Sequence, residues 1–266
     1  MLRPRESRDL RLVSSEIMTW PPSMLSWAQD VFGNSIATAS FCVDSDALVI
    51  ESTVTLELTS EPWPNFAIAA RALNYPFSYS GNERTDLGAL LSLQYPDTSG
   101  RVSSWAASFV RSNPTDTLAL LKDLNVGVSA TVSYQVREDE GTQSPARTLD
   151  LGLGSCRDIA VLFVEAARAL GFGARIVSGY IFTPTQQWGA GTTHAWAEVF
   201  VPGAGWITFD PTNRQTGNFN LIPVAVARAL SEAMPVSGTF IGGRDDQLAH
   251  IVAVRVTKQT TSRDQP

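Results

Sequence analysis

The sequence predicts an α+β protein whose strand-rich and helix-rich stretches are segregated along the chain. Three observations carry this. The run Leu48–Thr59 is rich in β-branched residues, and its second half alternates polar and apolar side chains, the period of a strand with one buried face. After Cys156, Ile159, Ala160, Leu162, Phe163, Ala166, Ala167 and Leu170 recur at helical spacing. From His194 the period returns to two, until Pro202-Gly-Ala-Gly205 breaks it as a hairpin turn would.

Taken in order, residues 8–59 favour strands at Leu10–Val13, Ser35–Val43 and Ala47–Leu58, with turn chemistry at Pro21-Pro22 and Phe32-Gly33-Asn34 between them. A small β-rich domain is expected over 1–64. Asn65–Leu73 and Ser103–Val110 have helical spacing, and a further helix follows Pro114 from Thr115. Residues 136–146 are polar, contain Gly and Pro, and read as a loop. A helix over 156–170 stops at Gly171. Strands follow at Ala174–Phe182, His194–Val201, Trp206–Phe209 and His250–Val256. This second domain is expected over 65–258, and the polar residues 259–266 are expected to fray.

Composition narrows the class. Of 266 residues 44% are apolar and 17% charged, enough for a substantial core. A net charge of −6 and a pI near 5.0 leave no basic face for nucleic acid. No run of about 18 apolar residues could span a membrane, and Met1-Leu-Arg-Pro-Arg-Glu-Ser-Arg-Asp9 has no apolar leader segment. A cytoplasmic protein with no nucleic-acid or membrane partner is expected, its oligomeric state open. The two cysteines, Cys42 and Cys156, sit in dissimilar settings and read as reduced thiols. Two His and two Cys at these spacings match no zinc template, so neither a metal nor another cofactor is expected.

Cys156 falls in the first turn of its helix, after Gly152, Gly154 and Ser155. N–H groups there lack intrahelical partners and the helix dipole favours negative charge. That setting favours a thiolate, and the same N–H groups suit a developing oxyanion. An inert buried cysteine is the commoner case. It fits Cys42, in Ala39-Ser-Phe-Cys-Val43, better than Cys156.

His194 opens a strand on which His194, Trp196, Glu198 and Phe200 share one face. Asp210-Pro211 ends the returning strand. A hairpin pairing 201 with 206 turns Asp210 away from His194. One pairing 201 with 205 puts it opposite Trp196, on the His194 face, and needs left-handed glycines that Gly203 and Gly205 can supply. Bland readings stand beside this: a strand His can be a satisfied core residue, and Asp-Pro-Thr-Asn is an ordinary turn sequence. Glu198 shares the His194 face and is the competing partner to weigh, but it sits two positions further from the Asp210 end and reads as supporting the fold; His250 reads as structural. Trp188, Trp196 and Trp206 suit a substrate groove or a core equally well.

These segments resemble the transglutaminase-like superfamily, in its bacterial branch of candidate cysteine proteases. The matching residues are Gly154-Ser-Cys156-Arg-Asp158, Ala167-Arg-Ala-Leu-Gly-Phe-Gly-Ala-Arg175-Ile-Val-Ser-Gly179-Tyr180, His194-Ala-Trp-Ala-Glu-Val199, and Gly205-Trp206 with Phe209-Asp-Pro-Thr-Asn213. The match runs over roughly 145–215. It implies a papain-like core, a Cys-bearing helix packed on an antiparallel sheet, with Cys156 as nucleophile, His194 as base and Asp210 as its orienter. Asp30-Val-Phe-Gly-Asn34 resembles the N-terminal domain that accompanies this branch. Arg157 stands where many relatives have Gln. Relatives reach Leu2-Arg-Pro-Arg-Glu-Ser7 only after an initial pair of strands, which implies either a domain without those strands or a start further upstream, and with it a sheet edge open to pairing between chains.

The expected activity is thiol-dependent acyl transfer on a peptide or protein substrate, most simply hydrolysis of a peptide or carboxamide bond through a Cys156 thioester. Trp188 and Trp196 are the expected substrate contacts. Protein-glutamine transamidation and a non-catalytic binding scaffold are the alternatives.

Overall fold

The computed structural model describes residues 1–62, 64–182, 190–243, 249 and 251–258. Strands β1 (Leu10–Trp20), β2 (Met24–Gln29), β3 (Ser35–Ser40) and β4 (Val49–Leu58) come first. They form two antiparallel ribbons, β1 with β4 and β2 with β3. The sequence reading missed β2 and ended β1 too early. It also expected a buried face on β4, where alternate residues such as Ile50, Val54 and Leu56 are only half-buried. Among the described residues Pro21 is the one apolar side chain between Leu10 and Ala72 that is buried. The reason is geometric: a two-stranded ribbon has no second layer to close over its apolar face.

The short strands β5 (Asn74–Tyr75) and β6 (Thr115–Asp116) pair with each other, and β7 (Ser133–Tyr134) runs parallel to β8 (Leu153–Gly154). Between them lie α1 (Gly81–Leu87), α2 (Arg101–Ala107), α3 (Thr117–Thr131) and α4 (Pro145–Leu151), followed by α5 (Cys156–Ala169). Asp116 caps α3 by accepting from Ala119 N–H at 2.7 Å, as an N-cap carboxylate should.

The main sheet contains β9 (Gly173–Ile181), β10 (Ala190–Val201), β11 (Gly205–Asp210), β12 (Gln215–Thr216) and β13 (Leu221–Ala227), in the order β12-β11-β10-β9-β13. A last strand, β14 (Val254–Arg255), pairs with β10 at Ala190 and Gly191, where β11 has already ended. Every pairing in this sheet is antiparallel.

Helix α5 supplies the core. Ile159, Leu162 and Phe163 are at most 1% exposed and pack with Ala195, Ala197, Val199, Ile207 and Phe209 from one face of the sheet. Each of the larger side chains among these, the Val, Leu, Ile and Phe, contributes about 1.5–3 kcal/mol by leaving water. The helix also buries an ion pair, Glu165 with Arg168 at 2.7 Å. Glu165 accepts from the backbone N–H groups of Gln94 and Tyr95, and Arg168 donates to the carbonyls of Leu90, Ala174 and Arg228. Those partners are what make two buried charges tolerable.

On the opposite face, Val177, Trp196, Leu221 and Val226 form a smaller cluster. The N-terminal segment docks at this edge through Asn34, which is fully buried and exchanges hydrogen bonds with Val226, donating Nδ2–H to the carbonyl (2.7 Å) and accepting the N–H (2.9 Å). Asp30 holds Asn34 in place, accepting from its N–H and its Nδ2. No helix among the described residues is long and apolar enough to cross a membrane.

Candidate active site

Three segments converge where α5 begins and β10 and β11 meet. At the helix start, Asp158 is fully buried and accepts four hydrogen bonds. Two come from Ser155, from N–H at 2.9 Å and Oγ–H at 2.7 Å; the others come from Gln143 N–H at 2.7 Å and Arg137 Nε–H at 2.9 Å. Burial pushes the Asp158 carboxyl upward, but these donors outweigh it and hold the group below its ordinary range. Arg157 reaches back from the helix and donates to the carbonyls of Arg137 and Asp139. The loop expected at 136–146 is thus tied to the first turn of α5 from both sides. Cys156, between the anchored Ser155 and Arg157, is half-buried.

The hairpin decides the rest. Val201 pairs with Gly205, leaving the three-residue loop Pro202–Ala204. Gly203 and Gly205 take φ of +87° and +74°, a region costly for residues with a Cβ. The register runs back to Ala197 opposite Phe209, so Asp210 falls opposite Trp196, on the His194 face. His194 Nε2 and Asp210 Oδ2 are 2.8 Å apart. His194 is 7% exposed and Asp210 fully buried.

The two carboxylate oxygens of Asp210 are held differently. Oδ1 accepts from the backbone N–H groups of Thr212 (3.0 Å) and Asn213 (3.3 Å), closing the Asp-Pro-Thr-Asn turn. Oδ2 accepts from Asn213 Nδ2 at 2.7 Å as well as from His194. The turn reading and the histidine-partner reading therefore describe the same residue. In the sequence Asn213 is only the last residue of the motif; its side-chain role depends on the turn's fold, which spacing alone does not reveal.

Burial works against a proton on His194. Hydrogen bonds to Asp210 and Cys156, and the charges of both, outweigh it, and the His194 pKa is pushed up to about 9. With Nε2 turned to Asp210, Nδ1 is the ring nitrogen left for the Cys156 thiol.

Other sequence expectations meet a different fate. Trp196 is 1% exposed, packs with Val177, Leu221 and Val226, and stacks on His194 with ring centroids 5.9 Å apart. Its indole backs the imidazole and offers no surface to a substrate. Glu198 is paired with Arg175 at 2.7 Å and so is taken up away from His194, and that guanidinium also lies over the Trp206 ring. Trp188 and His250 lie outside the described residues. Among the described residues no group of three or more His, Cys, Asp or Glu is placed to hold a metal ion.

Comparison with known proteins places the chain. Residues 103–211 match the transglutaminase-like superfamily, and residues 1–57 match the bacterial transglutaminase-like N-terminal region, together more than half of the sequence. An uncharacterised Mycobacterium leprae protein, ML0607, is 31% identical over 106 residues. That match spans 38% of this chain and 37% of the relative's length, so little over a third of the relative is shared. Among solved structures, a candidate cysteine protease from Cytophaga hutchinsonii superimposes with a TM-score of 0.70 at 19% identity, over 87% of this chain and 76% of its own, which is likeness of fold. The periplasmic domain of TgpA from Pseudomonas aeruginosa, 23% identical over 52% of this chain and 49% of its own, reaches a TM-score of 0.39, too low to argue from. Both regions of the sequence and the fold agree: the chain belongs to the transglutaminase-like superfamily and carries the bacterial N-terminal region of that family.

Proposed function

We propose that this protein is a thiol-dependent acyl-transfer enzyme that hydrolyses peptide or carboxamide bonds through a thioester on Cys156. The observation that carries the reading is the position of the His194 ring, held by Asp210 through one nitrogen and interacting with Cys156 at the first turn of a buried helix. In the proposed sequence the Cys156 sulfur attacks the substrate carbonyl, a C–S bond forms, and the carbonyl π electrons move to oxygen. The N–H groups of the first turn of α5 stabilise that oxygen. Collapse breaks the C–N bond as His194 gives its proton to the departing amine. Water, deprotonated by His194, then attacks the thioester and regenerates the thiol. Asp210 keeps the imidazole in the tautomer and orientation this requires.

The acceptor fixes the reaction class: water gives hydrolysis, a lysine amine gives cross-linking. Mass spectrometry of a glutamine-containing peptide, incubated with and without a primary amine, separates them. Cleavage or deamidation unaffected by the amine is the expected result; amine adducts would show a transamidase. Identical, unmodified peptide with wild type and Cys156→Ala would show a binding scaffold instead.

A further inference from the structure

Tyr134 is placed by a strand pairing across from the residues that lead into Cys156. It lies on β7, and β7 pairs in parallel with β8, whose last residue, Gly154, is opposite Tyr134. Ser155 and Cys156 follow Gly154 directly. The pairing continues past Tyr134, with Gln135 N–H donating to the Gly154 carbonyl at 2.8 Å. Just beyond, Arg137 is bound to Asp158 and Arg157 to the Arg137 carbonyl. The backbone that carries the phenol is therefore fixed to β8 around Tyr134 and, three residues on at Arg137, to the first turn of α5.

Tyr134 is 57% exposed, and its hydroxyl makes no hydrogen bond among the described residues. Partial burial, and then a smaller coulombic contribution from Cys156, raise the Tyr134 pKa, so the phenol keeps its proton. A tyrosine in this setting is a hydrogen-bond donor waiting for an acceptor.

We propose that the Tyr134 hydroxyl donates to the carbonyl oxygen of the acyl group attacked by Cys156, completing with the helix N–H an oxyanion site that the N–H alone leaves half-filled. The inference rests on the acyl-transfer reading above. It adds a second donor beside the helix N–H and makes Tyr134 a catalytic residue.

Two reactions of the same thiol separate this role from others. With p-nitrophenyl acetate, Cys156 sulfur bonds to the acetyl carbon, the carbonyl electrons pass to oxygen, and collapse expels p-nitrophenolate to leave acetyl-Cys156; an oxyanion forms on the way. With iodoacetamide, sulfur displaces iodide at a saturated carbon, and no oxyanion forms. Tyr134→Phe is expected to slow the p-nitrophenolate burst about 10- to 100-fold, below the largest oxyanion-donor effects because water can reach this exposed site. Its iodoacetamide rate and melting temperature are expected to match wild type. A burst at the wild-type rate overturns the proposal and leaves the acyl-transfer reading intact. Equal slowing of both reactions overturns it too, placing Tyr134 on the thiol rather than on the oxyanion. No burst in wild type, or a burst that survives in Cys156→Ser, overturns the acyl-transfer reading and this proposal with it.

Discussion

His194 Nε2 lies 2.8 Å from Asp210 Oδ2, and the carboxylate that makes this contact is itself gripped by Asn213 and by the turn after β11. If Asp210 is what keeps the imidazole charged, Asp210→Asn should lower the His194 pKa well below about 9. With only two histidines in the chain, an NMR titration resolves the change directly. Turnover should fall on the order of 10²- to 10⁴-fold, the scale seen when the orienting carboxylate of such a site is neutralised.

The raised His194 pKa also fixes the sign of a pH effect on stability. The folded protein holds this proton up to about pH 9, while the unfolded chain releases it near 6.5. The associated stability is complete below about pH 6.5 and is lost as pH rises through 9. Wild type should therefore lose more melting temperature between those limits than His194→Ala does. Equal losses would show that the ring is not held charged.

Asp158 carries a different load. Asp158→Ala strands the N–H groups of Ser155 and Gln143 and leaves Arg137, 17% exposed, without its buried partner. Denaturant unfolding should show a cost of about 2–4 kcal/mol. Proteolysis should also reach the 137–143 loop, which Asp158 and Arg157 now pin.

Gly179 shows how closely the back of the site is packed. A Cβ there would stand 2.1 Å from the Ile222 carbonyl oxygen and 2.8 Å from the Trp196 ring. Gly179→Ala should cost at least about 1–3 kcal/mol by overpacking. Because Trp196 backs His194, the His194 resonances should shift as well; a stable variant with an unmoved imidazole would contradict the packing described.

Much of this was legible in the sequence because it is local. The apolar spacing after Cys156 marks α5 nearly to the residue, and Gly203 and Gly205 allow the one hairpin register that turns Asp210 toward His194. The choice between registers was not legible, since both fit the strand period. β13 was missed: Pro223 interrupts its apolar run, and the strand accommodates the proline where its register with β9 shifts. The Arg137–Asp158 pair joins residues on different elements, and nothing in a one-dimensional pattern announces it. Trp196 was read as facing a substrate because period two gives its face but not what covers that face.

Thiol labelling tests the central claim most directly. Cys42 is exposed and Cys156 half-buried, so accessibility alone makes Cys42 the faster to react. If His194 holds Cys156 as a thiolate, iodoacetamide at about pH 6 should modify Cys156 first, and His194→Ala should reverse the order. Faster labelling of Cys42 in the wild type, unchanged by His194→Ala, would contradict the account.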